Sequence, residues 1–266
     1  MLPRLFQLGP FTVHSYGLMV MLGFVAGIVL SSRLAKRRGL AGEALVDAAP
    51  VMLLASIAGA RLLFVALNWG DFADRPWTIL SVWQGGMSFH GGAIAGVASG
   101  IYCLKKRGLS PAMMVDAAAP GLAVGYAIGR IGCLLNGCCH GGPSDLPWAM
   151  SFPDGEDGVR YHPVQLYAAI LNGLLTWWLA RQYLAPHRVG QVINSFVGWY
   201  SVYRFLIESL RRGVSAKVVW GGLTEAQWFS AWSIVAAIAV HFLLLRGTTL
   251  LGAAPHRGEP LGETSG

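Results

Sequence analysis

Seven apolar stretches, each long enough to cross a hydrocarbon core, recur along this chain and leave little room for another kind of fold. They run at about Tyr16–Ala35, Ala44–Asn68, Ser88–Leu104, Val115–Leu135, Val164–Ala180, Val189–Glu208 and Gln227–Leu245. A bilayer core of ~30 Å needs roughly 17–25 helical residues. Lipid offers no partner to backbone N–H and C=O groups, so each segment must close its hydrogen bonds internally. None alternates apolar and polar residues as a barrel strand does. The expected fold class is all-α: a polytopic integral membrane protein with about seven transmembrane helices. Composition agrees, since only 12% of residues are charged where soluble domains carry ~25%. The 35 glycines follow no Gly-X-Y period and the four cysteines are too few for a disulfide scaffold, which excludes collagen-like and disulfide-rich classes.

The 20 Lys and Arg residues predict the orientation. Eleven follow alternate stretches: Arg33, Lys36, Arg37, Arg38, Lys105, Lys106, Arg107, Arg181, Arg188, Arg246 and Arg257. Six fall on the other side: Arg4, Arg75, Arg160, Arg211, Arg212 and Lys217. The positive-inside rule then places the N-terminus outside and the C-terminus in the cytoplasm. The net charge of +7 is thereby spent on topology and gives no reason to expect a nucleic-acid partner. The first apolar run starts late and ends in the basic cluster Arg33–Arg38, unlike a cleavable signal peptide. Residues 1–246 read as one transmembrane domain and 247–266, rich in Gly, Pro and polar residues, as a disordered cytoplasmic tail. Several tryptophans near stretch ends, among them Trp69, Trp83, Trp148, Trp220 and Trp228, suit an interfacial belt.

Glycine recurs at four-residue spacing twice, at Gly92, Gly96, Gly100 and at Gly121, Gly125, Gly129. On a helix these positions form one ridge that lets two backbones approach closely. The first ridge follows His90 directly and the second runs into Arg130. Arg61, Arg130 and Arg204 fall within or at the ends of apolar stretches, where an arginine costs from ~2.5 to over 10 kcal/mol unless it pairs or faces a cavity. Arg204 has Glu208 at i+4 and Tyr200 at i−4, a stripe that is either a neutralised pair holding helices together or one wall of a site. Arg130 and Arg61 have no nearby carboxylate. Unpaired basic groups in a bundle predict an anion from elsewhere, and the abundant membrane anion is a lipid phosphate.

His90 sits in Gly85-Gly86-Met87-Ser88-Phe89-His90-Gly91-Gly92. It is either a hydrogen-bonded structural residue or, with glycines leaving it accessible, a proton acceptor working near neutral pH. Cys133, Cys138, Cys139 and His140 cluster at the end of the fourth stretch, but their spacing fits no common zinc or haem pattern. Small apolar packing or a surface disulfide is the expectation there, with no metal and no cofactor, and Cys103 is expected to be inert.

These motifs resemble the prolipoprotein diacylglyceryl transferases of the bacterial cytoplasmic membrane. The resemblance covers nearly the whole chain, from His14-Ser15-Tyr16-Gly17-Leu18 to Gln227-Trp228-Phe229. Gly129-Arg130-Ile131-Gly132 followed by Asn136-Gly137 looks like the family signature. The glycine-flanked His90 segment, His162-Pro163-Val164-Gln165-Leu166-Tyr167, and Tyr200 with Tyr203-Arg204-Phe205 and Glu208 match three further motifs in order. Where the best-known form of the signature carries Asn and Glu, this chain has Cys133 and Cys138, so no role of those two residues carries over.

The resemblance implies seven helices with the N-terminus outside, in a multi-pass protein of the bacterial inner membrane. It implies transfer of a diacylglyceryl group from phosphatidylglycerol to the lipobox cysteine of a prolipoprotein signal peptide, forming a thioether and releasing glycerol 1-phosphate. His90, Arg130 and Arg204 are the expected catalytic residues: His90 deprotonates the substrate thiol, and the two arginines hold the phosphodiester and its leaving group. Expected substrate-binding residues are Arg130, Tyr16, Asn136, Tyr200, Glu208, Gly141 and Arg61. A transporter or lipid flippase is the alternative from another class, but no inverted repeat accompanies the arginines. A lipid-binding subunit without turnover is a third reading.

Overall fold

The computed structural model describes residues 1–8, 11–81, 85–211, 218–247 and 250–251. Seven long helices coincide with the seven apolar stretches. They are α1 (Ser15–Arg37), α2 (Glu43–Leu67), α4 (Phe89–Lys106), α5 (Pro111–Asn136), α6 (Val164–Leu184), α7 (Gln191–Ser209) and α8 (Glu225–Gly247), with a single turn, α3 (Trp69–Phe72), after α2. Of these, α1, α2, α5 and α8 are long and apolar enough to cross a membrane. Short strand pairs lie outside the helices. An antiparallel hairpin, β1 (Arg4–Leu8) with β2 (Phe11–His14), precedes α1. Apart from Gly247 and Leu250–Leu251, the expected tail lies outside the described residues, as do Trp83, Arg212 and Lys217.

The chain divides into two compact units, Gly39–Met114 and Met1–Arg38 with Val115–Gly266. Both are built with small residues inside and large apolar ones outside, as expected when lipid rather than water surrounds the helices and close packing must drive association. Ala35, Ala117, Ala119 and Ala123 are fully buried, while Leu54, Leu62, Ile94, Leu174, Phe229 and Trp232 are exposed. In the smaller unit the first glycine ridge packs on α2: Gly92 meets Ser56 and Ala60, Gly96 meets Ser56, and Gly100 meets Met52. In the larger unit Gly121 and Gly125 of α5 pack on Gly27 and Gly23 of α1. A Cβ on Gly23 or Gly27 would stand 2.7 Å from the opposing carbonyl oxygen, so only glycine allows this approach. Gly129 departs from the ridge pattern, with nothing within 4 Å of its face.

One end of the larger unit is tied by a buried polar network. The carboxylate of Asp116 accepts N–H bonds from Gly190 at 2.7 Å and Ile193 at 2.9 Å, satisfying donors at the start of α7. Arg38, read above as a topology charge, also donates to the carbonyls of Tyr183 at 2.6 Å and Ala185 at 2.5 Å, which closes the end of α6. His187 lies between them, 3.2 Å from Arg38 Nη2 and 3.8 Å from Asp116.

Candidate active site

A narrow cleft with a cavity volume of about 10 Å³ opens in the larger unit between the last turns of α5 and α7 and the first turns of α6. Tyr126, Arg130, Val164, Ala168, Tyr203, Arg204, Ile207 and Arg211 line it. Val164, Ala168, Tyr203 and Ile207 form a buried apolar floor, with Tyr126, Tyr167 and Tyr200 packed against it. The three tyrosines at its centre interlock edge to face, with ring centroids 5.2 Å apart for Tyr126 and Tyr200 and 5.1 Å for Tyr200 and Tyr203. Asn172 fixes Tyr203 by donating to its hydroxyl at 2.7 Å. The guanidinium of Arg130 lies over the Tyr126 ring, 4.7 Å from its centroid, and donates to the Tyr126 hydroxyl.

Glu208, fully buried, accepts from Arg204 and lies 3.7 Å from Arg211. The i+4 pairing read from the sequence is therefore present, and Arg211 joins it from just beyond the end of α7. Three guanidiniums against one carboxylate leave the cleft with two positive charges in excess. Among the described residues the buried Nε of Arg211 has no hydrogen-bond partner. The N-terminal turns of α6 add the positive end of a helix dipole to the same wall. Such an arrangement suits an oxyanion with several oxygens, since guanidinium forks match that geometry.

The structure brings Arg130 and Arg204 to one cleft, with Glu208 and Tyr200 beside them. Exposed Tyr16, on the first turn of α1, interacts through space with Arg130 and with the three cysteines. Asn136 closes α5 and its side chain bonds to Cys138. Gly141 is buried where a Cβ would come within 2.8 Å of His162 and of the Leu210 carbonyl. Its N–H donates to His162 at 2.8 Å, so this glycine allows the loop to reach the end of α7.

Arg61 and His90 belong to the smaller unit. Arg61 is 6% exposed and bonds four carbonyls, those of Thr78, Ile79, Gly85 and Gly86, at 2.6–3.1 Å. The partner its sequence environment lacked is thus backbone, and its guanidinium pins the loop that precedes His90. His90 itself is exposed on the first turn of α4, against the ring of Phe89.

Arg211 and Tyr126 escaped sequence reasoning, and Tyr203 and the buried Gln165, though inside motifs quoted above, are not among the expected site residues. Arg211 read as an ordinary loop charge; its offset of three from Glu208 was the available signal. Of the two expectations for the cysteines, packing or a surface disulfide, the disulfide is absent among the described residues. Cys133, Cys138 and Cys139 are free thiols whose sulfurs lie within 4.8 Å of one another. Burial raises the pKa of Cys138, and a hydrogen bond with Cys133 together with burial raises that of Cys139, so both hold their protons at neutral pH.

The family model for prolipoprotein diacylglyceryl transferase matches residues 3–243. The chain is 36% identical over 240 residues to a phosphatidylglycerol–prolipoprotein diacylglyceryl transferase of Synechococcus elongatus, covering 86% of this chain and 82% of the relative. Relatives of the same name in Geobacillus kaustophilus and Bordetella avium are 37% identical over 251 residues and 35% over 254. These alignments cover 90% and 92% of this chain, and 91% and 95% of the relatives.

Proposed function

The chain belongs to the prolipoprotein diacylglyceryl transferase family, and from that premise we propose that it transfers the diacylglyceryl group of phosphatidylglycerol to a prolipoprotein cysteine. The observation that carries the assignment to this cleft is the excess of two positive charges among tyrosines, at the end of a helix able to cross a membrane. A phosphodiester enters with one negative charge, and the leaving phosphate monoester approaches two. A site that holds two uncompensated guanidiniums gains most when the second charge develops, which is the condition for catalysis rather than binding alone.

In the reaction, the thiolate sulfur of the lipobox cysteine attacks the glycerol carbon that carries the phosphate ester. A C–S bond forms, the C–O bond breaks, and the electron pair leaves on glycerol 1-phosphate. Arg130 and Arg204 hold the phosphate oxygens, Arg211 supplies a third fork, and Glu208 orients Arg204. Tyr16 and Tyr200 offer hydroxyl donors to the headgroup or the peptide backbone, and Asn136 holds the turn beside them. Removal of the thiol proton is assigned to His90, because only a few per cent of a thiol of pKa ~8.5 is ionised at neutral pH. Arg61 contributes by fixing its loop, and Gly141 by admitting close packing. The placement proposed is seven spans in the bacterial inner membrane with the N-terminus outside, supported by the charge count and the seven helices.

The test is to incubate purified protein with phosphatidylglycerol and a peptide containing a lipobox cysteine. A diacylglyceryl mass gain on the cysteine, with equimolar glycerol phosphate, supports the proposal. Lipid binding or transbilayer movement without adduct contradicts it.

A further inference from the structure

The three thiols beside the cleft are organised by features that neither apolar packing nor chance clustering requires. Gly137, at φ +80°, stops α5 and turns the chain back, so that its N–H and that of Cys138 both donate to the carbonyl of Cys133, at 3.0 and 3.2 Å. Neighbouring side chains normally diverge, yet Cys139 alone among the described non-glycine residues has a left-handed backbone, φ +69°, and its sulfur stands 3.2 Å from that of Cys138. Gln165, fully buried on α6, holds the turn by donating to the Cys138 carbonyl at 2.6 Å. A strained residue in a braced turn is a device for aiming side chains.

We propose that Cys133, Cys138 and Cys139 form a binding site for one thiophilic d¹⁰ cation, copper(I) being the reference ion. Three sulfurs bound to one trigonal ion at about 2.3 Å stand about 4 Å apart, and rotation of side chains already within 4.8 Å reaches that spacing. The donor set is sulfur only. His140, next in the chain, is engaged elsewhere: its Nδ1 lies 2.8 Å from the Gly141 carbonyl and its Nε2 3.2 Å from Asp154. Its ring packs on Phe152 and Tyr161. All-thiolate sites without carboxylate or imidazole select soft ions over magnesium or calcium. On binding, three S–H bonds release three protons to solvent, three metal–sulfur bonds form and no oxidation state changes. The complex then carries two negative charges, within range of the Arg130 and Arg211 guanidiniums that already act on Cys133 and Cys139.

The test uses the full chain in detergent, reduced and kept free of oxygen, in competition with a chromogenic copper(I) chelator. The wild type is expected to withdraw one copper(I) per chain, and Cys103→Ser to do the same. Cys133→Ser, Cys138→Ser and Cys139→Ser should each weaken binding at least tenfold, with gel filtration confirming an intact fold. X-ray absorption should find three sulfur neighbours. Binding unchanged in any of the three single variants overturns the proposal, as do two sulfurs with a nitrogen or oxygen ligand. So does a Cys133 disulfide to Cys138 or Cys139 in protein isolated without reductant.

Discussion

Glu208 sets the charge balance of the cleft. It is buried, and Arg204 and Arg211 both depend on it. Replacing it by Gln leaves two guanidiniums facing each other without compensation, and removal of one partner of a buried ion pair typically costs about 3–5 kcal/mol. Glu208→Gln should therefore lower the unfolding midpoint in detergent by several degrees as well as reduce transfer; an unchanged midpoint would show that the pair is not structural. Arg211→Ala should lower kcat/KM for lipid by roughly ten- to a hundredfold, in the range of losing one charged donor, and a rate equal to wild type removes Arg211 from the phosphate site. The contrast between these two residues explains what could be read in advance. Arg204 and Glu208 announce themselves because a helix repeat places i and i+4 together and charges are rare in such stretches. Arg211 lies past the helix end, where its offset of three from Glu208 is not fixed by a helix repeat; Tyr126 stands in no motif, and Tyr203 stands in one that gives it no role.

At the scale of elements, the glycine ridges give a paired prediction. Gly27→Leu forces a side chain onto the Gly121 carbonyl and should destabilise the protein by more than 2 kcal/mol, measured by thermal unfolding. Gly129→Ala, at a helix-interior position, meets nothing within 4 Å and should leave the protein as stable as wild type or more stable by up to about 1 kcal/mol. Equal effects at the two positions would mean that the α1–α5 approach does not depend on glycine. The helices themselves were legible because bilayer length and internal hydrogen bonding leave one solution for a long apolar run. The ridges were legible as helix faces, but not which helix each would meet. The turn after α5 was not legible at all: its shape depends on positive φ at Gly137 and Cys139 and on Gln165 reaching across from α6.

At the scale of the whole molecule, stability should depend on pH through His187. Burial holds its pKa below the ordinary histidine value, so the unfolded chain takes up the proton first as pH falls. Stability is then complete above about pH 6.5 and declines on acidification through the range between the two pKa values. The unfolding midpoint should drop below pH 6.5 in the wild type and drop less in His187→Gln; parallel curves would place the acid sensitivity elsewhere. His90→Asn should lose transfer at neutral pH, and partial recovery as the peptide thiol ionises at alkaline pH would mark a base role. The central claim is that the arginine cleft holds the departing phosphate, and the most direct measurement is the mass of a lipobox peptide after incubation with phosphatidylglycerol and Arg130 variants. The diacylglyceryl adduct should form with wild type, fall at least a hundredfold with Arg130→Ala, and recover only in part with Arg130→Lys, which restores charge without the fork. Adduct formation by Arg130→Ala at the wild-type rate would contradict the account.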